Sequence, residues 1–258
     1  MRRVVFNQKG GVGKSTITCN LAAISADLGL NTLVVDLDPQ GNSTRYLTGQ
    51  SGEEFETTAN DFFEQTLNFS FYDKDTSDFI HETPFKNLDL MPAHPQLSEL
   101  EGKLESRYKI YKLREAFDEL ESYDAIYVDT PPALNFYTRS ALIAANNCLI
   151  PFDCDDFSRQ ALYSLLESVQ EITMDHNKDL QVEGIVVNQF LSRAKLPTQL
   201  VDELIKEGHM ILDSKISSSI KIKESHSAAK PMINFLPRHK VTEEFKALFD
   251  ELNRNISV

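Results

Sequence analysis

The sequence predicts an α/β fold, a largely parallel twisted sheet with helices on both faces. Three observations predict it. Short apolar runs bounded by polar residues recur along the chain, as buried parallel strands require. Helix-length stretches lie between them. A glycine-rich turn, KGGVGKST at residues 9–16, joins the first apolar run to the first of those stretches.

The strand-like runs are residues 4–6, 32–35, 88–91, 125–128, 148–150 and 184–187. The helix-like stretches are 15–28, 96–120, 138–145, 157–174, 197–207 and 242–253. Residues 49–82 are acidic, rich in Phe and least readable, with a short helix expected near 60–67. No internal repeat or low-complexity linker interrupts the alternation, so one domain over residues 1–258 is expected. At 258 residues, 41% hydrophobic and 25% charged, the chain can bury a core without disulfides or metal. Cys19, Cys148 and Cys154 form no C-x-x-C pair and read as reduced thiols. No apolar run approaches the roughly 20 residues of a spanning helix. Met1, Arg2 and Arg3 lead into a strand and not into an apolar leader, so a cytoplasmic protein is expected.

Ligands of open parallel sheets bind beyond the carboxyl ends of the strands. The polar motifs stand there: residues 7–15 after the first run, 36–42 after the second, 129–132 after the fourth, and Asn188 after the last. Gly10, Gly11 and Gly13, with Val12 among them, allow a tight turn whose N–H groups face phosphate oxygens. The helix starting near Lys14 adds its positive end. Lys14 suits the β- and γ-phosphates, and the Ser15 hydroxyl, followed by Thr16, suits Mg2+.

Gln8 stands where the general pattern G-x-x-x-x-G-K-[ST] has its first glycine, and Lys9 follows it. A second lysine in the loop is not needed to hold phosphate within one chain. It suggests a cation aimed at phosphate from another direction. Asp38, in VDLDPQGN at residues 35–42, can orient or activate the attacking water. Asp129, in YVDTPP at residues 127–132, ends a buried strand and suits contact with Mg2+ through water.

The net charge of −13 alone argues against nucleic-acid binding. The distribution is uneven. Residues 190–240 hold nine Lys/Arg and five Asp/Glu, leaving that segment at +4 and the remainder at −17. Composition leaves open whether this is a basic surface or ordinary variation.

At NQKGGVGKS (7–15), VDLDPQGN (35–42), YDAIYVDTPP (123–132), residues 150–166 and, more weakly, 216–231, the chain resembles the ParA family of partition ATPases. That family lies within the deviant-Walker-A group of P-loop NTPases, which also holds MinD. The resemblance covers nearly the whole chain. It implies ATP and Mg2+ as ligands and ATP hydrolysis to ADP and phosphate, weak without a partner. Lys9 would cross a dimer interface to the partner's ATP and act with Lys14 and Asp38 in catalysis. Gly10, Gly11, Val12, Gly13, Lys14, Ser15 and Thr16 would hold the phosphates. Ser15, Asp38 and Asp129 would serve the metal, and Asn188 would read the adenine edge.

The implied assembly is a homodimer sandwiching ATP that binds DNA without sequence preference. It would associate with the nucleoid when ATP-bound. A ParB-like or cargo-adaptor protein would stimulate hydrolysis. Arg193, Lys221 and Lys223 would contact DNA. Ser217-Ser218-Ser219 replaces the Pro-Arg-Asn of many relatives, which leaves open the positioning of a protein cargo such as a chemotaxis array or carboxysome. A MinD-like membrane role needs a basic amphipathic C-terminal helix. Residues 243–252 are instead acidic and read as a helix packed on the core, so no membrane partner is expected. Iron–sulfur carrier relatives need paired cysteines. The loop begins at residue 9, so no preceding DNA-reading domain is expected. A metabolic ligase or amidotransferase would need a dedicated substrate pocket, and no residue set marks one.

Overall fold

The computed structural model describes residues 1–68, 74–153, 159–190 and 195–254. In chain order the elements are β1 (Arg2–Val5), α1 (Lys14–Asp27), β2 (Thr32–Asp36), α2 (Asn42–Thr48), α3 (Ala59–Leu67), β3 (His81–Glu82) and β4 (Leu88–Met91). Then come α4 (Leu97–Ser106), α5 (Lys112–Glu119), β5 (Ala125–Asp129), α6 (Phe136–Ala144), β6 (Asn147–Asp153) and α7 (Arg159–Asp175). The chain finishes with β7 (Gln181–Phe190), α8 (Lys195–Lys206), β8 (Ile211–Ser217), α9 (Ile220–Ser227), α10 (Met232–Phe235) and α11 (Lys240–Arg254).

Strand alternation divides the core in two. Val4 and Phe6 enter one cluster with Leu33, Val35, Ile126, Val128 and Ile150; Val5 enters the other with Val34, Tyr127, Leu149 and Val186. Residues from α3 to α8 cover the first face, and residues from α1, α2, α10 and α11 cover the second. Both faces of the central strands are therefore dry, which explains their continuous apolar runs. Arg3 is buried on β1, where Glu183 and the Tyr127 hydroxyl satisfy it.

Among the described residues eight strands form one sheet in the order β3-β4-β2-β5-β1-β6-β7-β8. Every neighbouring pair is parallel except β3 with β4. Strand order reverses around β1, the switch point at which such sheets open a crevice. The register aligns the strand ends: Val5 and Asp36 both pair with Asp129, and Asp153 pairs with Asn188.

The α/β reading holds, with two corrections. The single helix expected over 96–120 is two. Tyr108 takes a left-handed backbone (φ 56°), and Lys109 N–H donates to Leu104 O while Tyr108 N–H donates to Glu105 O. This pair of bonds closes α4 and turns the chain toward α5. The edge strands β3 and β8 went unread. β3 is two residues long, and β8 alternates, burying Leu212 and Ile216 while leaving Asp213 exposed. The short helices α2, α9 and α10 were unread as well.

The acidic α11 packs on the core as expected, burying Val241, Phe245, Leu248 and Leu252. Two of its carboxylates reach the outer edge of β8. Glu251 accepts from the N–H groups of Asp213 (2.7 Å) and Ser214 (2.8 Å), and Glu244 accepts from Ser217 N–H (2.8 Å) and its hydroxyl (2.6 Å). Cys19 and Cys148 are buried thiols pushed up in pKa by burial; Cys154 lies outside the described residues. No helix of the described residues is long and apolar enough to cross a membrane.

Candidate functional site

The turn between β1 and α1 is built around glycine. Gly11 (φ 78°) and Gly13 (φ 90°) occupy the left-handed region. A Cβ on Gly13 would lie 2.1 Å from Asn188 Nδ2, so close approach as well as backbone angle requires glycine there. Asn7 pins the loop to the sheet, donating to Pro151 O at 2.8 Å and accepting from Lys9 N–H at 2.9 Å. The first turn of α1 has no capping side chain and no acidic residue. Its N–H groups and positive end remain available to an anion.

Lys14 is nearly buried and donates from Nζ to Lys9 O at 3.0 Å. Burial pushes its pKa down, while the facing carboxylates of Asp129 and Asp38 hold it up. Lys9 is half-buried, with Nζ withdrawn from solvent.

The two aspartates of VDLD divide their work. Asp36 Oδ2 accepts from Thr44 N–H and its hydroxyl, both at 2.8 Å, and Oδ1 accepts from Asp38 N–H at 3.1 Å. It is spent on fixing the turn and α2. Asp38 Oδ1 accepts from Gln40 N–H at 3.0 Å, and Asp38 O accepts from Gly41 N–H at 2.8 Å. Burial pushes Asp38 up in pKa, opposed by the Gln40 N–H and by Lys14.

Asp129 is fully buried at the end of β5. Its Oδ2 accepts from the Ser43 hydroxyl at 2.8 Å, and burial pushes its pKa up to about 6. Ser15 lies beside the carboxylate and offsets part of that rise, without closing a well-formed hydrogen bond to Oδ1. A buried carboxylate oxygen with no hydrogen-bond partner, beside the Ser15 hydroxyl, suits a hydrated divalent cation. Among the described residues no group of three His, Cys, Asp or Glu could enclose a metal by itself. A cation here would depend on phosphate oxygens.

Two cavities flank the loop. One of about 320 Å³ is lined by Gly10, Lys14, Ser15, Asp38, Gln40 and Pro132. The other, about 370 Å³, is lined by Asn188, Gln189, Ser218, Ser219, Ile222 and Lys223. Gly11, Gly13, Thr16 and His226 line both. Asn188 Nδ2 donates to Val12 O at 2.8 Å, and Gln189 Nε2, on a residue at φ 54°, donates to Gly11 O at 2.9 Å. The end of β7 therefore grips two successive loop carbonyls.

The predicted residues Gly10 to Thr16, Asp38, Asp129 and Asn188 thus meet at one edge of the sheet. The basic positions divide. Arg193 lies outside the described residues. Lys221 and Lys223 lie on α9, Lys221 paired with Glu224 at 2.7 Å and Lys223 exposed. Ser217 ends β8, and the Ser219 hydroxyl accepts from Lys221 N–H at 3.2 Å to start α9. The sequence reading missed Asp36, Ser43, Gln189 and His226. The first two lie within or beside a motif that was singled out. Gln189 adjoins Asn188, and His226 sits in a polar helix with no apolar period.

The AAA domain family model matches residues 3–182. The chromosome partitioning protein ParA of Myxococcus xanthus is 34% identical over 253 residues, covering 96% of this chain and 86% of that one. The sporulation initiation inhibitor protein Soj of Bacillus subtilis is 33% identical over 254 residues, covering 97% of each. Among solved structures, cobyrinic acid a,c-diamide synthase from Mycobacterium smegmatis, with bound ATP analog and magnesium, superposes with a TM-score of 0.86. That match covers 100% of this chain and 96% of the other at 23% identity, a likeness of fold.

Proposed function

The chain belongs to the ParA/Soj family of partition ATPases, and from that membership we propose that it is an ATP-driven dimerising switch that segregates or positions DNA. The observation that carries this reading is that Lys14, Ser15 and Asp38 line one cavity beside the open N-terminus of α1, with the buried Asp129 behind Ser15 and Lys14. In this reading the loop N–H groups and Lys14 take the β- and γ-phosphates. A Mg2+ ion held by the Ser15 hydroxyl, with Asp129 and Asp38 behind it, would neutralise charge on the phosphate oxygens. Asp38 orients the water that attacks the γ-phosphorus and draws off its proton, as the bond to the β-phosphate oxygen breaks. Asn188 turns one of its two amide N–H groups to Val12 O, which orients Oδ1 to accept from the exocyclic amine of adenine.

Lys9 gives the switch its direction. A lysine that leaves its own chain for the partner's triphosphate makes dimerisation favour ATP over ADP, and a switch needs that difference. The dimer presents residues 190–240 twice, so a local +4 acts as about +8 over one face, where phosphate contacts bind DNA without reading its sequence. The acidic remainder repels DNA from the other faces. A ParB-like or adaptor protein accelerates hydrolysis and release, and the ATP-bound form resides on the nucleoid.

A second reading, positioning of a protein cargo by the same cycle, draws support from Ser217, Ser218 and Ser219. They carry no charge, and two of them end β8 and start α9. Co-sedimentation with random-sequence DNA, with ATP or ADP at two salt concentrations, tests the main reading. Binding with ATP alone that falls steeply with salt is expected. Equal binding in both nucleotides, or none, would sink it.

A further inference from the structure

His226 lies at the junction of the two cavities and belongs to neither the loop nor the aspartate motifs. Its ring is held in place: it stacks on Tyr46 with centroids 3.7 Å apart and planes 9° from parallel. Tyr46 is itself fixed, its hydroxyl hydrogen-bonded to Ser225 Oγ at 2.9 Å and accepting from Asn20 Nδ2 at 3.2 Å. Asn20 also donates to Thr16 O at 2.8 Å and accepts from Met232 N–H at 2.7 Å. The imidazole is thereby oriented by α1, α2 and its own helix α9, with Nε2 3.0 Å from Thr16 Oγ1. Of the two atoms in that contact, only the threonine hydroxyl sits on a side chain that can turn without breaking a ring stack.

Thr16 lines both the cavity of Lys14 and Ser15 and the cavity of Asn188, so a nucleotide spanning the two would pass the Thr16 hydroxyl where its phosphates meet the sugar. In the tautomer that carries its proton on Nε2, an anionic oxygen arriving there competes with Thr16 for that N–H. A hydrogen bond to a charged oxygen is about twice as strong as one to a neutral hydroxyl. The neutral imidazole suffices as donor, and burial lowers its pKa in that direction.

We propose that His226 is a nucleotide-contacting residue: its Nε2 exchanges the Thr16 hydroxyl for the phosphate oxygen nearest the sugar, making α9 part of the nucleotide site. The inference rests on nucleotide binding at residues 9–16. It gives α9, which carries Lys221 and Lys223, a direct contact with the bound nucleotide.

The test is calorimetric titration of the full chain with Mg·ATP and with Mg·ADP. His226→Ala and His226→Phe should each weaken both nucleotides by roughly 10-fold, while His226→Gln, which returns an N–H donor, should stay within about 3-fold of the parent. His226→Phe keeps a ring against Tyr46, so it separates the hydrogen bond from the stack if His226→Ala fails to fold. Melting temperatures without nucleotide check that each variant is folded. Parental affinity in His226→Phe, or a loss confined to ATP, overturns the inference. A parent chain that binds neither nucleotide, unchanged by Lys14→Ala, overturns the nucleotide site itself. Binding lost in Lys14→Ala but kept in His226→Phe overturns the histidine contact alone.

Discussion

Asp36 and Asp129 are register partners on β2 and β5, both fully buried, yet only Asp36 has both carboxylate oxygens hydrogen-bonded. Asp129 keeps Oδ1 open and has its pKa pushed up to about 6, against an ordinary 3.8. Between those values the folded chain holds a proton that the unfolded chain has released. Nucleotide-free stability should therefore fall as pH rises through that window, by on the order of 1–3 kcal/mol. Asp36 shifts in the same direction and adds to the slope. Asp129→Asn should flatten the slope and raise the nucleotide-free melting temperature at neutral pH, while weakening Mg2+-dependent nucleotide binding. A variant less stable than the parent at neutral pH would contradict the assignment.

Lys14→Ala removes the buried cation facing Asp38 and Asp129. Nucleotide binding should drop by 100-fold or more, on the order of 3 kcal/mol for a desolvated charge-assisted contact. Filter binding with labelled ATP reads this directly, and unchanged affinity would refute the site.

Asp38→Ala should separate binding from chemistry. The turn keeps its Asp36 contacts, so ATP binding and ATP-driven dimerisation should persist by light scattering. Phosphate release should fall by about 100-fold or more with the loss of water orientation. A variant that stays monomeric with ATP would contradict the role given to Asp38.

Arg193→Glu with Lys221→Glu should weaken DNA binding and flatten its salt dependence, with dimerisation by ATP unchanged. The measure is the slope of log affinity against log salt. An unaltered slope would place the DNA surface elsewhere on the chain.

The placement of the candidate site was legible because its residues follow apolar runs that fold as buried strands. Lys14, Asp38 and Asp129 needed no knowledge of neighbouring elements to be placed at one edge. What escaped lacks a local signal. β8 alternates because α11 covers it, and α11 lies more than twenty residues further on. The break at Tyr108 rests on a left-handed residue that is not glycine, and no composition rule marks it. His226 gains its place only when α9 folds back onto Tyr46, a contact spanning 180 residues of chain.

The carboxylates of α11 on β8 have a consequence for how copies of this chain meet. The outer edge of a sheet offers backbone donors to any strand that approaches, and this is a common route to runaway stacking. Glu244, itself paired with Lys240 at 3.2 Å, and Glu251 already occupy the N–H groups of Ser217, Asp213 and Ser214. A second copy finds those three donors already taken. In the proposed switch, encounters between copies would be left to the rim where the nucleotide would sit, and assembly would follow fuel and not protein concentration alone.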